Sequence, residues 1–156
     1  YHNTYGVPVI ITRCMNIFGE RQHPEKFIPK AVKLVKEGKE IPIYADKEGK
    51  ISGSRSYIHT DDVHNALDLI IKKGKIGEKY NIEGSKEISN AKIVEMVGEE
   101  SGRLVRCKYI ASDDVRPGND FSYGIDGSKL RKMGFKLKHS SEKDIRKIIR
   151  GYLNES

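Results

Sequence analysis

A chain of 156 residues fits one domain and is long enough to bury a core without disulfide or metal staples. Its 33% charged and 37% hydrophobic residues exclude a disordered polymer, and it has no apolar run of membrane-spanning length. The net charge of +7 suits an anionic partner, either nucleic acid or a small polyanion such as a nucleotide, while the lysines are dispersed as on solvated helix faces.

In chain order, VPVIITRC (7–14) is a nearly continuous β-branched run, the pattern of a strand buried on both faces of a parallel sheet. PEKFIPKAVKLVKEGK (24–39) predicts a helix. Its positions Phe27, Ile28, Ala31, Leu34 and Val35 fall at helical spacing, Pro29 is tolerated in the first turns and Gly38 suits the stop. IPIY (41–44) predicts a short strand, and ADKEGKISGS (45–54) a polar loop. RSYIH (55–59) predicts another strand.

Thr60 is the expected N-cap of the following helix, with Asp61 and Asp62 in its first turn and Val63, Ala66, Leu67, Ile70 and Ile71 as the buried stripe. EKYNIEG (78–84) reads as a strand into a turn. Ser89 caps a helix through Ile93, Met96 and Val97, and VRCKYI (105–110) is a strand. Asp126 is the expected cap of a short helix. Ser141 caps the last one, whose apolar face carries Ile145, Ile148, Ile149, Tyr152 and Leu153. Strands alternating with amphipathic helices predict an α/β fold. The strands at 7–14 and 78–84 read as members of a larger parallel sheet, and the opening YHNTYGVPVII reads as a helix tail feeding a strand. The expectation is a portion of something longer.

Ligands of open α/β sheets bind beyond the carboxyl ends of the strands, so the polar residues there are the candidates. They are Asn16 after the first strand, Asn81 among apolar neighbours, Arg55 at a strand start and Arg116 in the Pro-Gly turn VRPGND. Guanidinium forks match phosphate oxygens, and two of them with Lys26 would suit a pyrophosphate. Asn can both donate and accept, as hydroxyls and base edges require. Each has a plainer reading. Arg55 and Arg116 fit surface ion pairs, Asn16 a turn cap, Asn81 a loop-backbone partner, Lys26 a solvated cation and Tyr44 the core. His59 reads as packed rather than catalytic. Cys14 and Cys107 have no partner spacing, which predicts a reduced, cytoplasmic setting, and no His or Cys spacing predicts a metal.

Five segments, taken together, carry a resemblance: HPEKFIP, GKEIPIY, RSYIHTDDV, GEKYNIEG and RPGND followed by YGID. The chain resembles, over almost its whole length, the C-terminal half of the extended short-chain dehydrogenase/reductases that act on nucleotide sugars. That group is the NAD-dependent epimerase/dehydratase family, and the likeness is greatest to its dTDP-glucose 4,6-dehydratase branch.

The resemblance implies the last strands of a Rossmann-type parallel sheet plus the small C-terminal substrate-binding lobe. Residues 1–156 would then be a nucleotide-sugar-binding portion without the N-terminal NAD-binding part. It implies that Asn16 contacts the sugar nucleotide and that Lys26 and Phe27 touch substrate. Pro42, Ile43 and Tyr44 would line the base, Arg55 and Arg116 hold the phosphates, and Asn81 reach the nucleotide. Asn119 stands where the branch has His, and Ile17 would contact NAD through its backbone. Ser56 stands where Asp is usual and Val115 replaces an Asp, which leaves the nucleotide and sugar open.

The implied partner is a dTDP- or UDP-hexose, with neither nucleic acid nor membrane, and the whole protein would form a homodimer. By the same resemblance the whole protein oxidises C4 of the hexose with NAD, eliminates across C5 and C6, and returns the hydride to C6. The residues for that chemistry, a Gly-rich phosphate loop, an Asp-Glu pair and Tyr-x-x-x-Lys, have no match in this sequence, so no catalytic residue is assigned. A 4-epimerase, a UDP-glucuronate decarboxylase and a non-catalytic nucleotide-binding module remain alternatives.

Overall fold

The computed structural model describes residues 1–111 and 122–155. Its elements run α1 (His2–Tyr5), β1 (Ile11–Cys14), β2 (Asn16–Phe18), α2 (Phe27–Lys36), β3 (Ile41–Ala45), β4 (Ser54–His59) and α3 (Thr60–Lys73). They continue as β5 (Lys79–Ile82), β6 (Glu87–Ser89), α4 (Asn90–Ser101), β7 (Cys107–Ala111), α5 (Ser128–Lys132) and α6 (Glu142–Asn154). The strands form three small sheets: β1 parallel to β5, β3 parallel to β7, and β2 parallel to β4 with β6 antiparallel on its far side.

The β2–β4 ribbon is the wall shared by two cores, and its alternation explains why. Successive side chains of a strand point to opposite faces. Tyr57 and Phe18 enter one core, under α2, α4 and α6, with Ile41, Ile43, Ile93, Met96, Ile145 and Ile149. Ile58 and Met15 enter the other, with Tyr80 and Ile82 of β5, Ala66 and Ile70 of α3, and Leu130 of α5. The strands at 7–14 and 78–84, expected as members of a larger parallel sheet, pair in parallel with each other, in register Ile11 with Lys79 through Cys14 with Ile82.

Several expectations are corrected. The 7–14 run is a strand only over Ile11–Cys14, and all four residues are exposed rather than buried on both faces. Among the described residues it has a single strand neighbour, β5, so the sheet around it is too small to cover it. In α3 the stripe narrows: Ala66 and Ile70 are buried, but Leu67 and Ile71 face solvent, Ile71 with 79% of its surface. The α3 cap is His59, whose ring Nδ1 accepts from the Asp61 N–H at 3.2 Å, with Thr60 already inside the helix. Gly127 holds the cap position of α5, while Asp126 Oδ1 accepts from the Ser128 N–H at 2.9 Å. The caps at Ser89 and Ser141 form as expected, the second as a capping box with Asp144. The short strands β2 and β6 were not legible, because three residues give no period.

Helices α4 and α6 are also joined by ions. Arg146 pairs with Glu99, Glu100 and Glu142, and Arg150 with Glu100. The Arg150 hydrogen bond, and then that of Arg146, holds the Glu100 carboxyl below its ordinary 4.5. A carboxyl lowered on folding adds stability above its unfolded value and loses it as the pH falls through the folded one. Glu100→Gln is therefore expected to cost up to about 1 kcal/mol at neutral pH, solvent screening keeping it small. In urea titrations across pH that difference should close below 4.5.

Candidate functional site

A cleft of about 830 Å³ opens beyond the end of β2, between the turn after it, the start of α2, one face of β3 and the start of β4. Local rules place its side chains. On β3 the burial alternates, so Ile41, Ile43 and Ala45 enter the core while Pro42 and Tyr44 line the cleft. The expectation for Ile43 is corrected here: it is fully buried, and its side chain faces away from the cleft. β2 and β4 run parallel with Asn16 opposite Tyr57, which puts Asn16 and Arg55 on the same wall. Lys26 holds the N-cap position of α2, and Phe27 begins the helix. Both line the cleft.

The electrostatics suit an anion. The Lys26 ammonium makes no hydrogen bond or ion pair among the described residues, whereas neighbouring Lys30 is paired with Glu25 at 3.0 Å. That hydrogen bond keeps the Glu25 carboxyl below its usual value. The N-terminus of α2 adds its dipole. Arg55 donates through Nη1 to the Ser54 carbonyl at 2.7 Å, and its guanidinium lies over the Tyr123 ring, 5.0 Å from the centroid. The Tyr123 hydroxyl donates to Asn16 Oδ1 at 3.0 Å, so Asn16 keeps its amide N–H groups for other acceptors.

Burial pushes the Tyr57 phenol up to about 12, so at neutral pH it is a donor and not a base. Desolvation also raises both thiols, Cys14 to about 11 although the residue as a whole is exposed. Neither is an activated nucleophile. No group of three His, Cys, Asp or Glu residues that could hold a metal exists among the described residues.

Thus the structure gathers Asn16, Ile17, Lys26, Phe27, Pro42, Tyr44 and Arg55 around one cleft. Asn81 is elsewhere, in a second cleft of about 670 Å³ with Ser56, Glu83 and Phe135. Its Nδ2 donates to the Asp126 carbonyl at 2.9 Å, the loop-backbone role already open to it from sequence. Arg116 and Asn119 lie outside the described residues. His59 packs edge-on against Phe18, as expected of a packed histidine.

Three side chains at or against the cleft have a part in it that the sequence did not assign, Tyr152 having been placed only on the apolar face of the last helix. Tyr123 fixes Asn16 from 107 residues away and also stacks on Arg55. Tyr152 of α6 accepts from the Gln22 N–H and donates to the Gly19 carbonyl, both at 2.8 Å. Gln22 donates through Nε2 to the Ile17 carbonyl at 2.7 Å, while its buried Oε1 has no hydrogen-bond partner among the described residues. Local pattern carries no signal for contacts of such sequence separation. Gly19 is demanded by space: a Cβ there would lie 2.6 Å from Thr60 Oγ1.

Parallel strands flanked by helices, with a cleft beyond a strand end, define an α/β protein of the Rossmann type. The chain belongs to the NAD dependent epimerase/dehydratase family, whose model matches residues 1–82.

It is 36% identical over 155 residues to the low-salt glycan biosynthesis protein Agl12 of Haloferax volcanii, covering 99% of this chain and 48% of that one. It is equally 36% identical over 165 residues to dTDP-glucose 4,6-dehydratase 1 of Escherichia coli K12, covering 100% and 44%. Among solved structures, the dTDP-glucose 4,6-dehydratase of Streptomyces venezuelae, with NAD and TYD bound, superposes with a TM-score of 0.83. That pair is 35% identical over 97% of this chain and 46% of that one. The UDP-glucose 4-epimerase of Thermus thermophilus, in complex with NAD, shares the fold at a TM-score of 0.86 and 22% identity, covering all of this chain and 50% of that one. The chain spans less than half the length of the curated relatives described here.

Proposed function

We propose that residues 1–156 are the nucleotide-sugar-binding portion of a cytoplasmic, NAD-dependent nucleotide-sugar 4,6-dehydratase of the dTDP-glucose type. The observation that carries this reading is the single cleft where Asn16, Lys26, Tyr44 and Arg55 meet from four separate elements. An aromatic and a proline on β3 offer a flat apolar wall for a base. Lys26, Arg55 and the α2 N-terminus offer positive charge for a diphosphate, and Asn16 offers amide donors for the sugar. The 36% identity to a dTDP-glucose 4,6-dehydratase supports the choice of branch.

The residues in hand do not compose an NAD site. The sequence contains no Gly-x-x-Gly-x-x-Gly loop, and the resemblance assigns the cofactor only Ile17, which is 41% exposed beside Asn16. No catalytic step is therefore routed through these residues. Their part is to bind and orient the nucleotide sugar.

Two measurements on the purified chain test the reading. Calorimetry should detect dTDP-glucose and dTDP but not glucose 1-phosphate, because the base wall and the diphosphate cations act together. Absence of binding by either nucleotide would end the proposal. Incubation with NAD and dTDP-glucose should give no 4-keto product, since the sequence holds neither a Tyr-x-x-x-Lys motif nor a Gly-x-x-Gly-x-x-Gly loop. Turnover by this chain would overturn the assignment of a binding role alone.

A further inference from the structure

The turn from β2 into α2 forms one wall of the cleft and leads to Lys26, and its own bonds cover only its second half, where the Lys26 N–H donates to the His23 carbonyl at 2.9 Å and the Glu25 N–H to His23 Nδ1 at 3.2 Å. Arg21 within it is the one non-glycine residue of positive φ among the described residues, at 60°. Such a backbone persists only where surrounding structure imposes it. Gln22 contributes one bond, from Nε2 to the Ile17 carbonyl. Across its first half, Gly19 to Gln22, the bridging restraint comes from the far end of the chain. The Tyr152 hydroxyl bridges the two ends of the turn, donating to Gly19 and accepting from Gln22. Its ring is set in the core shared by α2, α4 and α6, with 9% of the residue's surface exposed. A rigid helix thus spans the strained turn with one hydroxyl.

We propose that Tyr152 is a positioning residue for the cleft. Its hydroxyl holds the Gly19–Gln22 turn in the conformation that presents Lys26 and the start of α2 to a bound nucleoside diphosphate. The inference rests on the function proposed above, because the ligand is the one assigned there. Tyr152 touches no ligand and acts only through the turn. The hydroxyl, not the ring, carries the effect, so removing one oxygen atom separates positioning from packing.

The test compares Tyr152→Phe with Ile149→Val. Both lie on α6 and both lower core stability, but only the first removes the bridge. Calorimetric titration with dTDP is done at 10 °C, with circular dichroism showing each variant folded. Hydrogen exchange of the turn amides is read alongside. Tyr152→Phe is expected to bind dTDP roughly fivefold more weakly, the worth of a typical lost hydrogen bond. Its Gln22 to Lys26 amides should exchange faster relative to those of α4. Ile149→Val should bind dTDP as the parent chain does. Unchanged dTDP binding by Tyr152→Phe, or an equal loss in Ile149→Val, overturns the positioning role while the proposed function stands. Failure of the parent chain itself to bind dTDP overturns both.

Discussion

Replacing Asp62 with alanine is expected to cost the fold about 3–5 kcal/mol. Asp62 is fully buried and makes no ion pair among the described residues. Its carboxyl accepts from the Lys138 and His139 backbone N–H groups at 2.9 Å and from the Ser140 hydroxyl at 2.6 Å. The position in the first turn of α3 adds the favourable end of the helix dipole. Ser140 Oγ in turn accepts from the His59 N–H at 2.9 Å, so one carboxylate ties the segment before α6 to the junction of β4 and α3. Alanine would leave these donors without their acceptor, and hydrogen bonds to charged groups are worth roughly 1.5–3 kcal/mol each before any relaxation. Urea unfolding of Asp62→Ala measures the loss directly. Ser140→Ala should lose less, because the two backbone donors keep their acceptor. Equal losses would show that the hydroxyl, rather than the carboxylate, anchors the segment.

The case of Asp62 also shows what sequence could and could not say. Its place in the first turn of a helix was legible, because TDD before an apolar stripe is a helix start. Its partners at 138–140 were not, since nothing local links positions so far apart. The same division runs through the site. Pro42 and Tyr44 could be placed on a strand, and strand alternation then decided that they, and not Ile43, face the cleft. Lys26 could be placed at a helix start, but its lack of any partner among the described residues is a fact of three dimensions. Asn81 was legible as an anomaly, a polar residue in an apolar strand, yet only the structure supplies its contact with the Asp126 carbonyl. The exposure of β1 escaped prediction because apolar content reports what a strand is suited to, and its burial depends on having neighbours on both edges and both faces.

The second large effect concerns binding. Arg55→Ala should weaken dTDP and UDP alike, by roughly 1.5–3 kcal/mol for a lost charge-assisted hydrogen bond, about tenfold to 150-fold in affinity. A guanidinium held at the start of β4 and stacked on Tyr123 would meet the diphosphate, which is common to both nucleotides. Tyr44 lies on the β3 wall assigned to the base. Tyr44→Ala should therefore change the ratio of dTDP to UDP affinity more than it changes their mean, because lost wall contacts weigh differently on different bases. Parallel calorimetric series on the two variants separate these roles. A change of base preference in Arg55→Ala, with Tyr44→Ala neutral, would reverse them.

The cleft built by β2, the start of α2, β3 and β4 is proposed to hold a nucleoside diphosphate hexose. A crystal structure of the chain grown with dTDP-glucose is the decisive test. It should show the diphosphate within hydrogen-bonding distance of Arg55 and Lys26, the base against Pro42 and Tyr44, and the hexose facing the Asn16 amide. A ligand seated instead in the second cleft beside Asn81 and Phe135, with the first cleft unchanged, would contradict it.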